Sequence, residues 1–126
     1  MKRRHRIYLS GRFSQQAEFR QYAAELRSMG HTVVSSWLEQ AAAEPTTRAA
    51  RRRIAHRDMR DCAQATLAIL DFSLPPRGGR ETEHGAFLML GTPCWVVKNQ
   101  NEGNVFSSLG RAFADWPQAL AALRRK

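Results

Sequence analysis

No apolar run in this chain of 126 residues approaches the roughly 18–20 that a membrane-spanning helix needs, so no membrane partner is expected. Cysteine is scarce too. Cys62 and Cys94 show no metal-ligand spacing with each other or with the four histidines, which predicts reduced thiols, no metal and no other cofactor. The opening Met1-Lys2-Arg3-Arg4-His5-Arg6 runs straight into a strand pattern without a signal-peptide core, and the expected location is cytoplasmic. Helix-turn-helix, zinc-finger and RNA-binding aromatic signatures are all missing, which leaves a dedicated nucleic-acid role without a motif. Acidic residues are few. Eleven Asp and Glu stand against twenty Lys and Arg, for a formal net charge of +9.

That charge is unevenly spread. Residues 1–60 hold 13 of the 20 basic residues but 5 of the 11 acidic ones, through Lys2–Arg6, Arg51-Arg52-Arg53, Arg57 and Arg60. Such a field attracts phosphate-bearing ligands, with non-specific nucleic-acid affinity as a side effect. At 43% hydrophobic and 25% charged residues, the composition is that of one globular domain over residues 1–126.

Periodicity predicts the elements. Arg6-Ile7-Tyr8-Leu9-Ser10 reads as a short strand ending at Gly11. Ser14 is placed to cap a helix from about Gln15 to Met29, because Phe19, Tyr22, Ala23, Leu26 and Met29 recur at helical spacing. The β-branched run His31 to Leu38 predicts a second strand, and an Arg-rich helix follows from about Thr47 to Gln64. Thr66 to Phe72 is nearly continuous apolar sequence, as in a buried parallel strand. A helix to about Leu90, a strand Cys94 to Lys98, a weak strand Arg111 to Phe113 and a last helix capped by Asp115 complete the chain. Alternating strands and helices imply an α/β fold: a flavodoxin-like three-layer sandwich with a five-stranded parallel sheet of order 2-1-3-4-5. Ligands bind such sheets at the carboxyl ends of the strands. There the chain carries Ser10-Gly11-Arg12, Ser73 to Arg80, and Lys98 to Asn104.

The segment Arg77-Gly78-Gly79-Arg80-Glu81-Thr82-Glu83-His84-Gly85 carries the most chemistry. Its glycines let backbone approach a ligand, and its arginines offer charge to an anion. Glu83, taken as a first-turn carboxylate, would be held ionised by the helix's positive end and contribute little to stability. A solvated glycine turn that opens a helix has the same local appearance.

Together with Ile7-Tyr8-Leu9-Ser10-Gly11, Asp58, and Ala86-Phe87-Leu88-Met89-Leu90-Gly91-Thr92-Pro93, this segment resembles the nucleoside 2-deoxyribosyltransferase family, including relatives that hydrolyse 2-deoxynucleoside 5-monophosphates. The resemblance covers nearly the whole chain. It implies cleavage of an N-glycosidic bond in a nucleoside or nucleotide, with the sugar passing to another base or to water. Glu83 aligns with the family's nucleophile and has the expected Gly85 neighbour, whereas Glu81, two residues away, points elsewhere on a helix. Asp58 aligns with an aspartate that orients the nucleophile or sugar and handles protons at the leaving base. Tyr8 aligns with an aromatic residue framing the sugar. The family also implies a homodimer or higher oligomer in which Asn104, Ser107 or Ser108 reaches a neighbour's site.

Each assignment has a plainer counterpart. The alternative for Asp58 is a plain surface acid, which its neighbours three and four residues away disfavour because none is basic. Tyr8 fits a core position. His84 is either an acid–base group or packing, and Trp37 either stacks a base or fills the core. Arg12, Arg77 and Arg80, with the amides of Gly78 and Gly79, suit a 5-phosphate near Ser10 and Gly11, or are simply solvated. Arg12-Phe13 and Arg77 depart from the family pattern, so no base preference carries over. A non-catalytic nucleotide-binding or sensor module on the same fold is the alternative reading.

Overall fold

A strand whose residues are buried on both faces must lie inside a sheet, and the two longest strands of this chain have that character. In the computed structural model, which describes residues 3–41, 45–98 and 105–125, these are β1 (Arg6–Ser10) and β3 (Leu67–Asp71). They pair in parallel, Ile7 opposite Leu67 through Ser10 opposite Leu70. β2 (Thr32–Val33) lies outside β1, while β4 (Cys94–Val97) and β5 (Arg111–Phe113) extend the other side. The sheet is wholly parallel and its order is 2-1-3-4-5, as the alternation of elements predicts.

Among the described residues four helices cover it: α1 (Gln16–Ser28), α2 (Arg48–Gln64), α3 (Gly79–Leu90) and α4 (Trp116–Arg125). Right-handed crossovers put α1 opposite α2 and α3. On the α1 side, the buried Trp116 of α4 stacks on Tyr22 at 4.4 Å and meets Phe19 edge-on at 5.2 Å. Its indole N–H donates to Asp71 Oδ2 at 2.7 Å, tying α4 to the end of β3. Thr47 caps α2 through the Ala50 N–H, and Asp115 caps α4 through the Gln118 N–H.

Two expectations change. The second strand is two residues long, and Ser36–Glu39 forms a 3-10 turn. Its ladder ends where Val34 N–H meets Ile7 O, and side chains then take over. Ser35 Oγ accepts the Leu9 N–H at 2.6 Å, and the Trp37 indole donates to Leu9 O at 2.9 Å. Ser14 caps nothing; a 3-10 turn, Phe13–Gln15, precedes α1, and Gln15 Oε1 accepts the Arg12 N–H at 2.8 Å. Among the described residues no helix is long and apolar enough to cross a membrane, and neither cysteine is in a disulfide.

Candidate active site

Side chains two apart on a strand share a face, as do side chains four apart on a helix. Tyr8 and Ser10 of β1 therefore both meet α3, where Glu83 and Phe87 lie one above the other. The Tyr8 ring packs on Phe87 at 5.5 Å and its hydroxyl donates to Glu83 Oε2. Ser10 Oγ donates to Glu83 Oε1 at 2.7 Å. Both carboxylate oxygens are thus held from beneath by hydroxyls that are fully buried.

Above the carboxylate is a cleft of about 440 Å³. Glu83, Thr82, Gly78 and Gly79 form one wall, while Arg51, Ile54, Ala55, Asp58 and Met59 of α2 form the other. The α2 residues lie three, four and seven positions apart, one face of the helix. A second cleft, of about 600 Å³, adjoins at Gly79 and is lined by Gly11, Arg12, Phe13, Ser14, Arg77 and Arg80.

α3 begins at Gly79, so Glu83 sits beyond the first turn, and the acid in that turn is Glu81. Glu81 accepts the Gly78 N–H at 3.2 Å and binds Arg80 at 2.6 Å. The expected stabilisation of an ionised Glu83 by the helix end is therefore corrected. Burial pushes its carboxyl up to about 7, an effect opposed by the Tyr8 and Ser10 hydroxyls and reinforced by the charges of Asp58 and Asp61. The Tyr8 phenol is itself driven up, first by burial and then by Glu83.

Asp58 faces Glu83 across the cleft. Its carboxyl is raised by burial although Arg57 pulls the other way, through an ion pair of 2.9 Å. A cation one residue away thus reaches Asp58, where the sequence offered none three or four residues away. Asp61, not among the residues expected at the site, is buried and accepts the Ser36 N–H at 2.9 Å. Its position three residues after Asp58 was the available signal. Burial lifts the Cys62 thiol to about 12 and the Cys94 thiol to about 11, so both are neutral near pH 7. Among the described residues no acid, histidine and cysteine cluster suits a metal ion.

Other expected site residues have different surroundings. Tyr8 and Ser10 support Glu83 from behind and line neither cleft. Arg80 is a rivet: buried over the Phe72 ring at 4.4 Å, it donates to Asp71 O, Leu74 O and Glu81. That leaves one of its five N–H donors. Arg12 and Arg77 carry no side-chain bond among the described residues. Gly11 is required by packing, since an added Cβ would stand 2.6 Å from Phe19 Cζ. Gly78 is required by its φ of 102°. Trp37 is core, and His84 is buried edge-on against Phe72 with its ionised form disfavoured by burial. Asn104 lies outside the described residues. Ser107 is buried, and Ser108 Oγ donates to Val105 O at 2.7 Å.

The architecture has close counterparts among solved structures. A 2-deoxyribosyltransferase from the psychrotolerant bacterium Bacillus psychrosaccharolyticus superposes with a TM-score of 0.75 at 23% identity, over 94% of this chain and 95% of that one. This chain shares the fold of a 2-deoxyribosyltransferase. A conserved protein from Enterococcus faecalis matches with a TM-score of 0.69 at 14% identity over 99% of each chain. The CMP N-glycosidase of Clostridium botulinum matches with a TM-score of 0.63 at 13% identity, over 98% of this chain and 100% of that one. No family model and no curated relative matches the sequence. The 2-deoxyribosyltransferase fold thus comes with a chain of largely different sequence.

Proposed function

We propose that this protein cleaves the N-glycosidic bond of a 2-deoxynucleoside or its 5-monophosphate through a covalent bond between the sugar and Glu83. The observation that carries the reading is the clamped carboxylate, held at both oxygens by Tyr8 and Ser10 beneath a cleft that Asp58 faces. The shared fold with a 2-deoxyribosyltransferase and a CMP N-glycosidase supports it. A Glu83 oxygen attacks the anomeric carbon as the bond to the base nitrogen breaks, and the bonding pair leaves with the base. Asp58 handles the proton the departing base requires. Water or a second base then attacks the same carbon, losing a proton as the ester bond breaks and the Glu83 carboxylate is restored. Incubation with one deoxynucleotide and a different free base tests this: free base and deoxyribose 5-phosphate, or an exchanged nucleotide, are the expected products. Neither forming would end the proposal.

The 5-phosphate belongs with Arg12 and Arg77, the two arginines of the adjoining cleft with no partner among the described residues. One charge-assisted contact, worth about 1.5–3 kcal/mol, predicts at least a roughly tenfold higher kcat/KM for monophosphates than for nucleosides. Equal values would leave both arginines as surface charge.

The working form is an oligomer. Met89, Val105 and Leu109 are 89, 77 and 51% exposed, apolar side chains that a second copy would cover. Asn104 and Ser108 then complete a neighbour's site. Mixing inactive Glu83→Ala with an inactive Asn104→Ala/Ser108→Ala variant is expected to restore one of the two sites in each mixed dimer, up to about a quarter of all sites. A fully active monomer in sedimentation would refute this.

A further inference from the structure

Arg51 has no role in the chemistry above, yet it lines the same cleft as Glu83 and Asp58. It lies seven residues before Asp58, two turns along one face of α2. Its Nε donates to Pro45 O at 2.8 Å. The guanidinium is planar, so that bond orients its plane and leaves the terminal amino groups on the opposite edge. Those groups meet no acceptor among the described residues. Arg57, by contrast, is committed to Asp58 and Gln40, and Arg80 to backbone carbonyls and Glu81. Next to Arg51, the apolar Ile54, Ala55 and Met59 offer a flat base something to lie against.

We infer that Arg51 reads the substrate's base, selecting bases whose edge presents two adjacent hydrogen-bond acceptors. This rests on the reading that the cleft holds a nucleoside or nucleotide. Arginine only donates and keeps its charge, so it matches acceptor pairs and opposes donors. Guanine and hypoxanthine offer O6 with N7, and cytosine offers O2 with N3. Adenine places an amino donor beside N7, and thymine separates its two carbonyls by an N–H. The match also serves the reaction. As the glycosidic bond breaks, negative charge gathers on the base, and a cation bonded to two of its acceptors steadies that charge. Arg51 is accordingly a specificity-determining residue whose contribution grows towards the transition state.

The test measures kcat/KM on five 2-deoxynucleosides and on their 5-monophosphates for wild type, Arg51→Ala and Arg51→Lys. Wild type is expected to prefer guanine, hypoxanthine and cytosine over adenine and thymine by about tenfold or more. Arg51→Ala should lose about ten- to a hundredfold on the preferred bases and less than about threefold on adenine. Arg51→Lys keeps the charge without the fork and should stay unselective. An equal loss on every base would mean that Arg51 merely supports the Pro45 segment, and a loss confined to phosphorylated substrates would mean that it binds phosphate. Either result overturns the inference. Calorimetric binding of free hypoxanthine, cytosine and adenine separates this inference from the catalytic reading. Binding selectivity that Arg51→Ala abolishes, without turnover of any substrate, would uphold base reading and sink the glycosidase. Turnover with indifference to the base would do the reverse.

Discussion

Glu83→Gln is expected to lose at least about a thousandfold in turnover and yet to melt at a higher temperature than wild type above pH 7. The first effect follows because an amide cannot form the glycosyl ester of the proposed reaction. The second follows from linkage. Burial raises the carboxyl from 4.5 to about 7, so between those values the folded chain keeps a proton that the unfolded chain has already released. Wild-type stability therefore falls as pH rises through that window, whereas glutamine has nothing to release. Because the side chain is only half-buried, the gain is discounted to about 1–3 kcal/mol at pH 8, or several degrees. It should vanish below pH 4.5. Thermal melts across pH, with steady-state rates, check both effects. Glu81→Gln is the control and should keep turnover, since Glu81 faces Gly78 and Arg80. Activity retained in Glu83→Gln and lost in Glu81→Gln would reverse the assignment.

Asp58→Asn is expected to cost about a hundredfold in kcat and to move the acid limb of the pH profile to lower pH. In the proposed reaction the limb belongs to Glu83, which must be ionised to attack, so the rate rises with pH as its proton leaves. Asp58's negative charge holds that proton on, and removing the charge lets it leave sooner. Tyr8→Phe should do the opposite. The phenol favours the ionised carboxylate, so its loss moves the limb to higher pH. Profiles of kcat/KM for the two variants should diverge on either side of wild type. Limbs that shift together, or stay put, would show that neither group governs Glu83.

Most of the framework was legible because its signals are local. The apolar run around β3, the helical spacing in α1 and the cap at Asp115 each depend on a few neighbouring residues. The shortness of β2 was not legible, because Ser35 and Trp37 bond to β1 through side chains, and a β-branched run looks the same either way. Within the candidate site, the gathering of Tyr8, Ser10, Asp58 and Glu83 followed from fold order and resemblance. Glu83's proton affinity did not, since it depends on burial by elements far apart in sequence. Arg80 misled for a related reason: charge composition cannot distinguish an arginine awaiting an anion from one already spent on carbonyls. Arg51 and Asp61 were readable in principle, being on Asp58's own helical face.

The side-chain closure of β1 also bears on how the molecule behaves at high concentration. Unpaired strand edges are templates on which other chains polymerise. On the β2 side only two residues pair before Ser35 and Trp37 occupy the Leu9 N–H and carbonyl, so an incoming strand finds little to zip onto. The opposite margin is the three-residue β5, where the Arg111 guanidinium lies over Trp95 and Phe113. A short margin bearing a cation repels its like. Fibril growth is thus discouraged at both ends of the sheet, and assembly is left to the helical and loop surfaces.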